Sequence, residues 1–360
     1  MSSENANSPN TSAPHLVTGG SGFIALHLVK QLLESGYTVH ATVRSLKNEK
    51  KVAPLKTLQD AHPGRLHLFE ADLLKPGSFG PAMKGCEVVH HVASPFLMAE
   101  KIKDGQRQCI EPALEGTRNV LQSVNETESV RRVVMTSTAE QVGAIFSDYI
   151  DVYEMENKTL HERYWNTKGS ATDNPYHYSK VLAEQEAWRI ASAQSHWTLV
   201  TILPGLVLGP SLSPDSESGS LYLIDELLRG ELFFGVPDLS FTTVDVRDVA
   251  TAHIRAAEVP GANGRYIVCE KEMTSFLDVA KVFKRVHKRP YVIPGHQIPT
   301  MVVRVLGPLF GLSQQWISRN VGVRFQVDNR RTSEELGLKY RSLQETLEEH
   351  YKSWCEMRSR

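Results

Sequence analysis

The sequence predicts a doubly wound α/β protein: a parallel sheet covered by helices on both faces, with a smaller C-terminal substrate-binding lobe. Three observations carry that expectation. From about residue 15 to 203, short β-rich runs alternate with longer amphipathic stretches. Several of the short runs are nearly continuous in apolar residues, as strands buried on both faces are. A glycine-rich turn separates the first run from the first helical stretch. Alternation of this kind folds as right-handed crossovers onto one sheet.

The elements follow in order. Residues 1–14 are rich in Ser, Asn and Pro and contain no apolar run, so they read as a disordered leader and not as a signal peptide. Strands are expected at 15–18, 38–43, 66–69, 88–92, 132–136 and 198–203, and helices at 23–34, 109–124 and 175–193. After Pro204 the rhythm breaks. The polar run 211–220 reads as a loop, 221–229 as a helix and 244–259 as a helix opened by an acidic turn. A short strand at 266–268 and a helix at 275–287 come next. This divides the chain into a dinucleotide-binding unit at 15–203 and a lobe at 204–360, with segments near 241–268 returning to the first unit. There is no internal repeat.

Composition bounds the function. At 360 residues and 41% hydrophobic content, the chain can bury a full core without disulfide or metal staples. Lys and Arg number 40 against 41 Asp and Glu, a balance that argues against a nucleic-acid partner. Cys86, Cys109, Cys269 and Cys355 lie far apart with no metal-ligand spacing, which reads as free thiols in a reducing compartment. The most apolar stretch, 298–312, is cut by Arg304 and Pro308 and falls short of the ~20 residues that cross a bilayer. A cytoplasmic monomer or homodimer with no membrane insertion is expected.

The turn after the first strand reads Thr18-Gly19-Gly20-Ser21-Gly22-Phe23-Ile24-Ala25. Gly19 permits the tight turn, Gly22 removes a side chain where backbone amides meet a pyrophosphate, and Ala25 keeps the helix close to the sheet. Phe23 and Ile24 open that helix, whose N-terminal amides favour an anion. The placement makes the turn a dinucleotide signal of the Rossmann type. At the end of the second strand, where an NAD enzyme usually carries Asp or Glu, stand Arg44 and then Lys47, Lys50 and Lys51. A guanidinium pairs with a 2′-phosphate, so Arg44, with Lys51 as a second cation, points to NADP(H). A solvated basic helix start is the plainer meaning of the lysine run. Asp72, followed by Leu73 after the third strand, either faces the adenine edge or caps the next helix.

The chemistry is expected from three further segments. Asn174 and Pro175 open a helix carrying Tyr176 and Lys180, four apart and hence on one face, while Tyr178 points elsewhere. A nearby ammonium favours phenolate and lowers a tyrosine pKa by roughly 1–3 units, so such a pair can protonate a carbonyl oxygen or deprotonate an alcohol. The fifth strand ends in Thr136, Ser137 and Thr138 at the carboxyl edge of the sheet, where ligands bind in open α/β folds. Each signal alone has an ordinary structural meaning; their order along the chain gives them weight. His90 and His91 end the fourth strand and are expected to pack near the cofactor without a catalytic part.

These motifs resemble the extended short-chain dehydrogenase/reductases, in particular the dihydroflavonol reductase and cinnamoyl-CoA reductase-like branch. The resemblance rests on TGGSGFIA, ATVR, EGTRNVL at 115–121, TSTAEQVG, YHYSK and LPGLVLGP at 203–210, and it weakens after about residue 290. It implies carbonyl reduction with NADPH by a Ser/Thr–Tyr–Lys triad, here Thr138, Tyr176 and Lys180, with Ser137 as the fallback hydroxyl. It also implies that Lys180 holds the nicotinamide ribose and that Pro204 packs near the nicotinamide. The sequence departs from the branch at three points. NPYHYSK replaces the NWYCYGK-like signature of cinnamoyl-CoA reductases. Gly143 stands where flavonoid reductases have an asparagine. Thr138-Ala139-Glu140 lacks the acid of sugar-nucleotide dehydratases. An aldehyde or ketone of apolar or aromatic character is the expected substrate, with Phe96, Phe146, Leu206, Tyr222 and Phe233 as candidate pocket residues. The alternatives are an epimerase or dehydratase that retains NAD, and a non-catalytic NADP-sensing regulator.

Overall fold

A computed structural model describes residues 13–94, 102–138, 155–166, 169–172, 175–310 and 312–358. Residues 1–12 of the expected leader, Phe96, Ala139, Glu140, Gly143, Phe146 and Asn174 lie outside the described residues. Seven strands form one parallel sheet: β1 (His15–Val17), β2 (Val39–Val43), β3 (Leu66–Glu70), β4 (Val88–His91), β5 (Arg132–Thr136), β6 (Thr198–Pro204) and β7 (Gly264–Val268). Their spatial order is β7-β6-β5-β4-β1-β2-β3, so the connection after β3 crosses to the other side of β1. The fold is therefore the doubly wound, Rossmann-like one, and the reversal of strand order beside β1 opens a crevice at the strands' carboxyl ends.

Helices cover both faces. They are α1 (Phe23–Glu34), α2 (Glu49–Ala61), α3 (Glu111–Asn125), α4 (Pro175–Ser192), α5 (Gly219–Arg229), α6 (Val246–Glu258), α7 (Phe276–Val286), α8 (Thr300–Leu306), α9 (Gln314–Asn320) and α10 (Leu343–Arg358). Helix α1 buries Ala25, Leu26, Leu28, Val29, Leu32 and Leu33 against β1, β2 and α6. Helices α3 and α4 pack on the opposite face around Val89, Val120, Leu121, Ala183 and Ala187. A further core joins α5, α7 and α10 through Leu227, Phe283 and Leu347.

One boundary departs from the sequence expectation. Residues 244–259 are not helical throughout: Thr243–Asp245 pairs as a strand with Leu206–Leu208, and α6 begins only at Val246. Asp245 ends that strand and caps the helix by accepting from the Arg247 amide, so the acidic turn read from sequence is the N-cap itself. Strand β7 then pairs with β6 at the sheet edge. Arg132 at the start of β5 is buried and donates to the carbonyls of Ala256, Val259 and Pro260, closing the C-terminal end of α6.

Several histidines are buried in the sheet and in the helices packed on it. His15 and His90 share a 3.0 Å hydrogen bond, and His253 Nε2 meets Thr136 Oγ1 at 2.9 Å. Burial lowers His15, His27 and His350 to about 4 and His91 and His253 to about 3, and holds His90 well below its usual value. The unfolded chain therefore takes up protons near pH 6.5 that the folded chain refuses. The resulting stability is complete above that pH and is lost as pH falls toward about 4, by roughly 1.4 kcal/mol per pH unit for each histidine. Melting temperatures measured across this window are expected to fall steeply at its acid end, and a flat profile would contradict the burial of neutral imidazoles.

Candidate active site

The crevice at the switch of strand order is a cleft of about 1680 Å³ lined along its length by residues of the turn after β1 and of β2, β5, β6, α1 and α4. Its floor is the glycine turn. Gly19 has φ +68°, and a Cβ there would stand 3.0 Å from the Ala93 Cβ. Its amide donates to Thr42 Oγ1 at 3.2 Å, which ties the turn to the end of β2. Gly22 is the N-cap of α1 in extended conformation and offers no side-chain cap. The first-turn amides therefore face the cleft without a side-chain acceptor, the arrangement that suits a phosphate. Phe23 and Ile24 also line this floor. A dinucleotide pyrophosphate fits this cradle.

Arg44 and Lys51 both line the cleft beyond β2, Arg44 with an exposed side chain. Lys51 already has partners: its Nζ donates to the Asp215 carbonyl at 2.5 Å and pairs with Glu217 at 3.3 Å. These contacts tie the 211–218 segment across the same end of the cleft. Asp72 lines the cleft too, while its carboxylate accepts from the Leu74 amide at 2.9 Å. It thus stabilises its own turn and caps no helix. Leu73 packs against Gly116 of α3, and Asn119 donates to the Leu73 carbonyl at 2.7 Å. The EGTRNVL segment therefore holds this turn in place.

Thr138, Tyr176, Lys180 and Pro204 line the middle of the cleft. The Lys180 ammonium lies 5.9 Å from the centre of the Tyr176 ring, one helical turn away on α4. Thr138 Oγ1 is 3.4 Å from the Pro204 carbonyl. Ser137 is different: its buried hydroxyl donates to Glu184 Oε2 at 2.7 Å and is thereby committed to the scaffold. His91 is buried against Thr18 Oγ1 at 3.2 Å, and burial together with the Lys180 charge holds it neutral, at about 3. Among the candidate pocket residues, Leu206 and Tyr222 line the cleft. Phe233 does not. Its side chain is 65% exposed, in the turn after α5 where its amide donates to the Gly230 carbonyl.

The sequence profile of the NAD dependent epimerase/dehydratase family matches residues 15–269. The chain belongs to this family. It is 36% identical over 308 residues to a cinnamoyl-CoA reductase of Medicago truncatula, spanning 81% of this chain and 89% of that one. To the anthocyanidin reductase of Arabidopsis thaliana it is 38% identical over 265 residues, covering 70% and 74%. Its structure matches the crystal structure of yeast methylglyoxal/isovaleraldehyde reductase Gre2 complexed with NADPH, with a TM-score of 0.77 at 26% identity over 96% of this chain and 99% of that one. These relatives lie in the dihydroflavonol and cinnamoyl-CoA reductase-like branch of the extended short-chain dehydrogenase/reductases that the motifs resemble.

In this member of the family, several supporting residues escape a motif reading. Gly20 allows β2 to approach, since a Cβ there would stand 3.0 Å from the Ala41 Cβ. Leu312 and Trp316 reach the cleft from the C-terminal region. Glu184 is fully buried and accepts from Ser137, Thr201, Trp188 and Arg265. Its signal was present in the sequence: it follows Tyr176 and Lys180 at the same four-residue interval. Replacing one partner of such a buried pair strands the other and costs about 3–5 kcal/mol. Glu184→Ala is expected to lower unfolding free energy in urea by that amount; a change below ~1 kcal/mol would mean that the pair does not anchor α4.

Proposed function

We propose that this chain is an NADP-dependent carbonyl reductase with Tyr176 as its proton donor. One observation carries the reading: Thr138, Tyr176 and Lys180 line the same cleft as the glycine turn and Arg44. The coarser part rests on kinship, since the curated relatives are reductases and the solved relative is an NADPH complex. The protein is accordingly an NADP-dependent oxidoreductase.

In this reading the α1 N-terminus with Gly19 and Gly22 holds the pyrophosphate, and Phe23 and Ile24 pack beside it. Asp72 and Leu73 border the adenine, and Arg44 with Lys51 takes the 2′-phosphate. Lys51 then exchanges Glu217 for the phosphate, so the 211–218 segment responds to the cofactor. NADPH supplies the hydride. Thr138 hydrogen-bonds the substrate oxygen and polarises it, and Tyr176 hands it a proton as negative charge develops. Lys180, one turn along α4, favours phenolate electrostatically and reaches the nicotinamide ribose, while Pro204 packs at the ring. Leu206, Tyr222 and Trp316 give the substrate end an apolar and aromatic lining, which favours an apolar or aromatic aldehyde or ketone. Residues from 204 onward supply most of that end and set specificity.

Two measurements test the reading. Tyr176→Phe is expected to bind NADPH as the parent does, by fluorescence titration, while carbonyl reduction falls by a factor of at least ~100; undiminished turnover would overturn the mechanism. In a panel of aldehydes and ketones assayed with each coenzyme, NADPH is expected to be preferred over NADH. Arg44→Ala should raise the KM for NADPH about tenfold or more while changing that for NADH little, since a charge-assisted hydrogen bond is worth roughly 1.5–3 kcal/mol.

A further inference from the structure

Of the twelve large hydrophobic side chains exposed among the described residues, eight fall in two short stretches: Phe233 and Phe234, and 291–309. Single exposed apolar residues are ordinary, but a cluster of this size is not. On α8 and the turn that follows, Met301, Val305 and Leu309 succeed one another at four-residue intervals and are 70%, 66% and 80% exposed. Val302 and Leu306 flank this stripe, and Val303 anchors the opposite side of the helix in the protein. Loop 230–236 runs alongside. Its Val236 amide donates to the His296 carbonyl, the Ile298 amide donates back to the Val236 carbonyl, and Gly230 lies against Val292. These contacts bring the loop that carries Phe233 and Phe234 onto the 292–298 segment that leads into α8.

The segment that carries α8 is one-sided in charge. Residues 279–327 contain eight Lys and Arg and no Asp or Glu, in a chain whose formal net charge is −1. Lys281 is paired with Asp278 and Arg324 with Asp238. Arg285, Lys288, Arg289 and Arg304 are exposed and form no salt bridge among the described residues. An apolar helix face on a segment that carries these unpaired cations, Arg304 on the helix itself, matches the headgroup boundary of a membrane carrying acidic lipids, where the stripe enters the acyl edge and the cations meet the headgroups. A second copy is a poorer occupant, because a two-fold contact would set the cations of the 285–304 segment against one another, while the one acid of the adjoining loop, Glu231, is already paired with Arg229. No helix among the described residues is long and apolar enough to cross a membrane, so the contact is a surface one.

We propose that the α8 face, with loop 230–236 and the unpaired cations of its segment, docks the protein reversibly on anionic lipid bilayers. The α9 helix that follows reaches into the catalytic cleft through Trp316, so the docked face borders the cleft. The proposal stands apart from the catalytic reading and is tested without it. Full-length protein is sedimented with vesicles of phosphatidylcholine alone or with about 30% phosphatidylserine, at low salt and at about 0.5 M NaCl. Binding is expected on the anionic vesicles only, with loss at high salt. Arg289→Ala with Arg304→Ala should weaken partitioning about 30-fold. Val305→Asp should abolish it, with unchanged circular dichroism and unchanged reduction of soluble carbonyls. The double arginine variant keeps the test decisive where Val305→Asp fails to fold. Equal binding to neutral vesicles, no binding at low salt, or a dimer in analytical ultracentrifugation that Val305→Asp dissociates would each overturn the proposal.

Discussion

The buried pairing of Glu184 with Arg265 is the constraint on which the active-site geometry depends. Glu184 lies on the inner face of α4, at the same four-residue interval as Tyr176 and Lys180. Its carboxylate gathers Ser137 from the end of β5, Thr201 from β6 and Arg265 from β7. Arg265 in turn donates to the Glu162 and Tyr164 carbonyls and stacks over Trp165 at 3.8 Å. A charge this deeply buried tolerates only a narrow geometry, because every lone pair it presents must be met. The helix carrying Tyr176 and Lys180 is therefore fixed in position against the end of β5, two residues before Thr138.

The cofactor end follows from a different constraint, the absence of side chains. At Gly19 and Gly20 a Cβ would stand only 3.0 Å from the Ala93 and Ala41 methyl groups, Gly19 has a positive φ as well, and at Gly22 the open helix terminus presents its amides outward. Thr18 Oγ1 accepts from the Val92 and Ala93 amides, and Thr42 Oγ1 from that of Gly19, so β1, β2 and β4 converge on one rigid floor. The cleft runs between this floor and α4, bringing the cradle for a dinucleotide and the Thr–Tyr–Lys group into a single site.

Outside this site, two features share one physical origin. The neutral histidines buried in the sheet and its helices and the apolar face of α8 on its basic segment both place groups where water would ordinarily decide their state. Histidines 15, 90 and 253 have imidazoles that lost water on folding. The α8 stripe kept its water although its chemistry disfavours it. The first makes stability depend on pH, and the second gives the surface a preference for an acidic lipid boundary.

Sequence alone determined the fold class and the order of the site. The strand runs, the glycine turn, Arg44 and the Tyr176–Lys180 spacing are local signals, each set by chain geometry over a few residues, and the strands and principal helices stand close to where periodicity puts them. The 243–245 strand was not legible, because its pairing with Leu206–Leu208 is a contact between distant segments and three residues, Thr243-Val244-Asp245, have no period of their own. Adjacent hydroxyls at a strand end likewise look alike in sequence; only the folded chain shows that Glu184 holds Ser137, which supports Thr138 in the proposed role. Asp72 proved to hold its own turn, and Phe233 to point outward, because a residue's neighbours are set by how loops fold back and not by its type. Tertiary structure alone decided which side chains share the cleft, since burial and hydrogen-bond satisfaction are properties of the packed chain.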